Sequence, residues 1–166
     1  MIDVKLVVMG VSGCGKTTIG EILATHYQAI FFDGDNLHPR ANVEKMSKGL
    51  PLTDEERWPW LETVGKKMNS ETNVIIACSA LKKSYRDYIR LFSPATEFIF
   101  LHGSKEVLSS RLGARKGHFF PASLLDTQLA LLEPLAVDEV GVKIDIDQTQ
   151  DEIAEEVIDW IESRVR

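Results

Sequence analysis

The chain has 166 residues and carries 25 acidic side chains against 19 Lys and Arg, a formal charge of -6. That length supports one hydrophobic core with little room for a second, and 44% hydrophobic residues exclude general disorder. The acidic balance argues against nucleic acid, which needs a basic patch, and the apolar runs are too short to span a bilayer. Two cysteines, Cys14 and Cys78, make no disulfide framework and point to a reducing, cytoplasmic setting. The first residues run straight into a motif needed intact, so a cleaved signal peptide is not expected.

In chain order, residues 4–9 read as a buried strand, and residues 17–27 as a helix with Ile19, Ile22, Leu23 and Tyr27 on one face. Residues 29–32 form a second expected strand, closed by Asp33-Gly34-Asp35, and residues 39–47 a short helix. Thr53 and Glu56 form a capping box that opens a helix to about residue 68, with Pro59 as a possible restart. A third strand spans residues 73–78, a helix 81–92, a fourth strand 96–101 and a helix 104–115. Residues 116–120 show no clear period; a helix follows over 122–132 and a strand over 142–146. Thr149 and Glu152 cap a last helix to about residue 164. Strands separated by helices imply a single α/β domain over residues 1–166, with a parallel sheet covered by helices on both faces.

The run Gly10-Val11-Ser12-Gly13-Cys14-Gly15-Lys16-Thr17 fits a phosphate loop between strand and helix. Glycines let successive N–H groups point into one concavity, and the helix adds its positive N-terminus. Nucleotide contacts are expected from Gly10 through Thr18, with Lys16 on the outer phosphates and the Thr17 hydroxyl on Mg²⁺. Cys14 is either a small side chain that permits close approach or a thiol activated by the helix N-terminus. Asp33 and Asp35 lie at the carboxyl edge of the sheet, where open α/β folds place ligands. Asp35 is the candidate to orient the acceptor hydroxyl and take its proton, and Asp33 to support the metal. Ser79 follows the third strand where many phosphate-loop enzymes place an Asp for Mg²⁺, which again leaves the metal to Thr17 and Asp33.

The segment Asp33-Gly34-Asp35-Asn36-Leu37-His38-Pro39, continuing through Asn42, Lys45 and Met46, resembles the D-G-D-x-L-H-P-x-x-N-x-x-K-M block of bacterial-type gluconate kinases. Gly49 to Leu61, Cys78-Ser79-Ala80-Leu81-Lys82-Lys83-x-Tyr85-Arg86-Asp87, Arg115 to Phe119 and Leu132 to Glu139 match later blocks in whole or part. Cys14 departs from the family's usual Ser, and Leu135 from a glycine-containing variant. The resemblance covers nearly the whole chain. It implies ATP-dependent phosphorylation of D-gluconate at its 6-hydroxyl, a nucleoside-monophosphate-kinase-like fold with strand order 2-3-1-4-5, a mobile lid and a homodimer. Adenylylsulfate kinase and shikimate kinase share parts of the pattern, and a nucleotide switch is the alternative of a different class.

His38, Asn42, Lys45, Arg57, Lys82 and Arg86, with Asp35, are the expected sugar-acid contacts, since an Arg can grip a carboxylate bidentately. One of Trp58 and Trp60 is expected in the core. Arg111 and Arg115 share a helix face and, with Lys116 and His118, form a basic lid near residues 112–122. Arg115 is then the cation for charge developing on the transferred phosphoryl, and Gln148 lies where the adenine would pass.

Overall fold

The computed structural model describes residues 2–113 and 122–165. Five parallel strands, β1 (Lys5–Met9), β2 (Ile30–Asp33), β3 (Val74–Ala77), β4 (Glu97–His102) and β5 (Gly141–Asp145), form one sheet in the order β2-β3-β1-β4-β5. The three central strands are almost wholly buried, as their continuous apolar runs require, whereas the edge strands β2 and β5 are partly exposed. The expected strand boundaries hold to within a residue at most ends.

The helices are α1 (Lys16–Tyr27), α2 (Arg40–Ser47), α3 (Asp54–Ser70), α4 (Lys83–Phe92), α5 (Lys105–Gly113), α6 (Ala122–Leu131) and α7 (Gln150–Val165). They cover both faces of the sheet and divide the core in two. Leu6, Val8, Ile75, Ile99 and Leu101 pack with Ile19 and Leu23 of α1 and Val157 of α7 on one side. Val7, Met9, Ile76 and Phe98 pack with Trp60, Leu61 and Val64 of α3 and Ile89 of α4 on the other. This is the three-layer α/β arrangement expected from the alternation of elements.

Two local differences have physical causes. Helix α3 runs unbroken through Pro59, although proline removes a backbone donor. The residue whose carbonyl loses that partner, Glu55, is exposed, so water can replace it. Helix α4 starts at Lys83, two residues later than expected, where the Glu133 side chain accepts from the Lys83 N–H at 3.0 Å and so caps the helix from a distant loop. A short 3-10 helix, Gly34–Leu37, which the periodicity did not suggest, follows β2.

Parallel pairing aligns the carboxyl ends of neighbouring strands. Asp33 of β2 is in register with Ala77 of β3, Ala77 with Val8 of β1, and Met9 of β1 with Phe100 of β4. The phosphate loop, the Asp33-Gly34-Asp35 turn and the segment after β3 therefore leave the sheet at the same edge. A Gly10 N–H to Ser79 carbonyl bond of 3.2 Å ties the first to the last.

Candidate active site

The phosphate loop joins β1 to α1 through Gly15, the N-cap of the helix. Gly15 has φ +94°, and a Cβ there would meet nothing within 4 Å, so the left-handed backbone and not crowding calls for glycine. Lys16 Nζ bonds to the Gly10 and Val11 carbonyls at 3.0 and 3.1 Å and has no carboxylate partner among the described residues. Its charge is held over the loop. Thr17 and Thr18 are exposed in the first turn of α1. The Ser12 N–H donates to Gln128 Oε1 of α6 at 2.7 Å. Gln128 was not foreseen: nothing local marks a glutamine 116 residues away as a partner of the loop.

Cys14 is fully buried, and burial pushes its thiol up, outweighing the opposing pull of Lys16. Burial likewise pushes Cys78 up to about 12. Both are free thiols. The helix N-terminus therefore does not activate Cys14, and of the two sequence readings the small-side-chain one fits.

On the acceptor side, Gly34 separates two carboxylates because a Cβ there would lie 2.4 Å from the Ala77 carbonyl oxygen. Asp33 Oδ1 accepts from the Asp35 N–H at 3.0 Å and so caps the 3-10 helix. Asp35 is exposed, yet the surrounding protein raises its carboxyl pKa, Lys16 opposing and Asp33 adding to the rise. Water screens this shift, but the coupling shows that Lys16 and both carboxylates share one electrostatic neighbourhood.

A second cluster lies on α3 and α4. Tyr85 donates its O–H to Asp54 Oδ1 at 2.5 Å and accepts from Arg57 at 2.8 Å, while Lys82 Nζ sits 3.4 Å from Asp54 Oδ2. The Tyr85 hydrogen bond is the main reason that the Asp54 pKa is lowered. Two cations thus face one carboxylate and leave a net positive charge. Trp60 is the core tryptophan, 3% exposed, with Nε1 on the Gly34 carbonyl at 2.8 Å, and Trp58 is partly exposed. His38 stacks on Trp60, and burial, helped by Arg57, lowers its pKa to about 4.

Other expected contacts have protein partners of their own. Arg86 is fully buried. Its Nε and NH2 hold Glu139 at 2.7 and 3.0 Å, and its remaining N–H groups meet the carbonyls of Ala80, Leu81, Glu133 and Pro134. No donor is left for a substrate, so the expectation for Arg86 is corrected: its role is to hold the fold. Lys45 sits 2.6 Å from Glu56 Oε1, and Asn42 is buried against α3. Arg111 binds the carbonyls of Ile146 and Gln148, and the Gln148 side chain folds back onto the Asp145 carbonyl and Glu156. Arg115, Lys116 and His118, and most of the lid read over residues 112–122, lie outside the described residues.

Among the described residues no three His, Cys, Asp or Glu side chains gather as a metal site. One hydroxyl (Thr17) and one carboxylate (Asp33) are nevertheless the donor set expected for Mg²⁺, which keeps waters and phosphate oxygens as its other ligands.

The chain resembles known proteins over most of its length. The shikimate kinase family model matches residues 12–162. The chain is 45% identical over 160 residues to the thermoresistant gluconokinase of Escherichia coli (strain K12), covering 93% of this chain and 91% of that one. It is 46% identical over 157 residues to the gluconokinase of Gluconobacter oxydans (strain 621H), covering 92% and 88%. The crystal structure of a gluconokinase from Sinorhizobium meliloti 1021 superimposes with a TM-score of 0.87 at 48% identity, covering 92% of this chain and 87% of that one. On the matched length, the identity and the phosphate loop at the sheet's carboxyl edge, the chain belongs to the gluconokinases, kinases within the wider shikimate kinase family.

Proposed function

We propose that this chain transfers the terminal phosphoryl group of ATP to the 6-hydroxyl of D-gluconate, giving 6-phospho-D-gluconate and ADP. The observation that carries the reading is the phosphate loop and the Asp33-Gly34-Asp35 turn at one sheet edge, with Lys16 electrostatically coupled to Asp35. The gluconokinase relatives name the acceptor. Asp35 accepts the proton of the attacking hydroxyl as its oxygen forms the new bond to phosphorus, and its raised pKa suits a base. Lys16 and the loop N–H groups offset charge on the phosphoryl oxygens. Mg²⁺, held by Thr17 and Asp33, would supply further charge neutralisation.

Arg57 and Lys82, with their surplus charge over Asp54, are the proposed grip on the substrate carboxylate, and His38 a contact to its hydroxyls. Arg115 is the proposed cation for charge developing on the transferred phosphoryl. The enzyme is proposed to act as a cytoplasmic homodimer, the reducing compartment keeping Cys14 and Cys78 as thiols. Among the described residues no helix is long and apolar enough to cross a membrane.

The product tests the reading. Phosphorus NMR of a reaction with D-gluconate should show a phosphomonoester split by the two protons of a terminal carbon. A signal split by one proton, or inorganic phosphate alone, would contradict it.

A further inference from the structure

His38 and Asn42 are expected as two separate substrate contacts; the structure joins them into one unit. Asn42 Nδ2 lies 2.9 Å from the Glu56 carbonyl oxygen and 3.2 Å from His38 Nδ1, and the residue is 4% exposed. A carbonyl oxygen only accepts, so the amide atom facing Glu56 must be nitrogen, which fixes the orientation of the whole amide. The second N–H of that nitrogen then meets His38 Nδ1, which must be the unprotonated, accepting ring nitrogen. In the neutral ring the proton is left on Nε2.

The ring plane is fixed as well. His38 stacks on Trp60 with centroids 4.0 Å apart and 16° between planes, and Trp60 is pinned to the Gly34 carbonyl between the two acceptor-side carboxylates. Helix α2 is clamped to α3 at a further point, because Glu56 Oε1 accepts from both Lys45 at 2.6 Å and the Thr53 N–H at 2.8 Å. The α3 capping box thus also secures the helix that carries Asn42. The His38 ring is partly exposed, and its Nε2 has no partner among the described residues.

We propose that Asn42 is a positioning residue that holds His38 in the Nε2–H tautomer, so that His38 serves the acceptor site as a fixed hydrogen-bond donor and not as a base. The role at the acceptor site rests on the reading of the Asp33-Gly34-Asp35 turn as part of the gluconate site; the tautomer does not. A donor suits a substrate hydroxyl or carboxylate oxygen and leaves proton acceptance to Asp35 alone. The surrounding charges agree: Arg57 of α3 opposes protonation of the ring, and Lys45 and Glu56 neutralise each other.

The test is a long-range proton–nitrogen NMR spectrum of the ¹⁵N-labelled full chain, with steady-state kinetics beside it. His38 should show the Nε2–H pattern alone down to about pH 5. In Asn42→Asp the carboxylate can only accept, so His38 should gain a proton on Nδ1. The kcat/KM for gluconate should then fall at least about tenfold, with the KM for Mg-ATP within about twofold. Should that variant fail to fold, Asn42→Ala should raise the pH at which His38 titrates, with the loss again on the gluconate side. His38→Gln, whose amide nitrogen reaches the Nε2 position, should lose less activity than His38→Asn. An Nδ1–H ring in the unmodified protein, or a changed tautomer with unchanged gluconate kinetics, would overturn the proposal. Absence of gluconate phosphorylation by the unmodified protein would remove the acceptor reading, while the spectrum would still decide the tautomer.

Discussion

Replacing Arg86 with Met separates a structural arginine from a substrate-binding one. Its guanidinium bridges Glu139 and the carbonyls of Ala80, Leu81, Glu133 and Pro134, and no part of the side chain is exposed. Ala80, held by one of those bonds, has φ +43°, a left-handed conformation that costs a non-glycine residue on the order of 1 kcal/mol. Removing one partner of a buried ion pair costs about 3–5 kcal/mol, because the other charge stays behind unpaired. Arg90, 2.8 Å from Glu139, keeps part of the compensation and places the expected loss near the lower end. For a chain of this size, about 2–4 °C per kcal/mol gives a fall in Tm of roughly 6–12 °C for a loss of about 3 kcal/mol. Urea unfolding followed by circular dichroism, with kinetics measured on folded protein, is the assay. Arg86→Met should be strongly destabilised, and Arg86→Met combined with Glu139→Gln should recover part of the loss. A variant that keeps its stability but loses gluconate affinity would refute the assignment.

The same pair predicts a pH dependence. Burial raises the Glu139 carboxyl, but bonds from Arg86, the Ala136 N–H and Arg90 outweigh it and hold the pKa at about 2. A lowered acid contributes stability above its unfolded value of about 4.3 and loses it as pH falls toward 2. Glu139→Gln should flatten stability in that window, which acid titration of unfolding would show. Asp35→Asn should lower kcat about 10²–10⁴-fold with little change in ATP affinity; near-normal turnover would remove Asp35 as the base. Gln128→Leu should leave the Ser12 N–H without its protein acceptor and change the KM for Mg-ATP more than that for gluconate, as initial rates would show. Thiol-reactive dye at about pH 8 should modify Cys14 and Cys78 far more slowly in native protein than in urea, and rapid native labelling of Cys14 would contradict its burial.

The sheet was legible because buried parallel strands leave continuous apolar runs, and the phosphate loop because its spacing is local. The capping boxes of α3 and α7 were equally local, and both are seen. Arg86 misled because a guanidinium on a helix beside the site reads as a ligand group, while its partner Glu139 is 53 residues away. Lys45 and Asn42 also have a partner on the next helix, Glu56, which spacing along α2 does not reveal. The pairing of Ser12 with Gln128 has no local signature at all. Whether Trp58 or Trp60 fills the core depends on which one reaches the Gly34 carbonyl, and spacing alone does not determine that.

The central claim is that turnover needs a sugar-acid hydroxyl. The most direct test is ADP release with Mg-ATP in a coupled assay, comparing D-gluconate with shikimate, adenylylsulfate, glucose and no acceptor. Strong stimulation by gluconate and by none of the others is the predicted result. Equal turnover with and without an acceptor would contradict it and favour a nucleotide-driven switch.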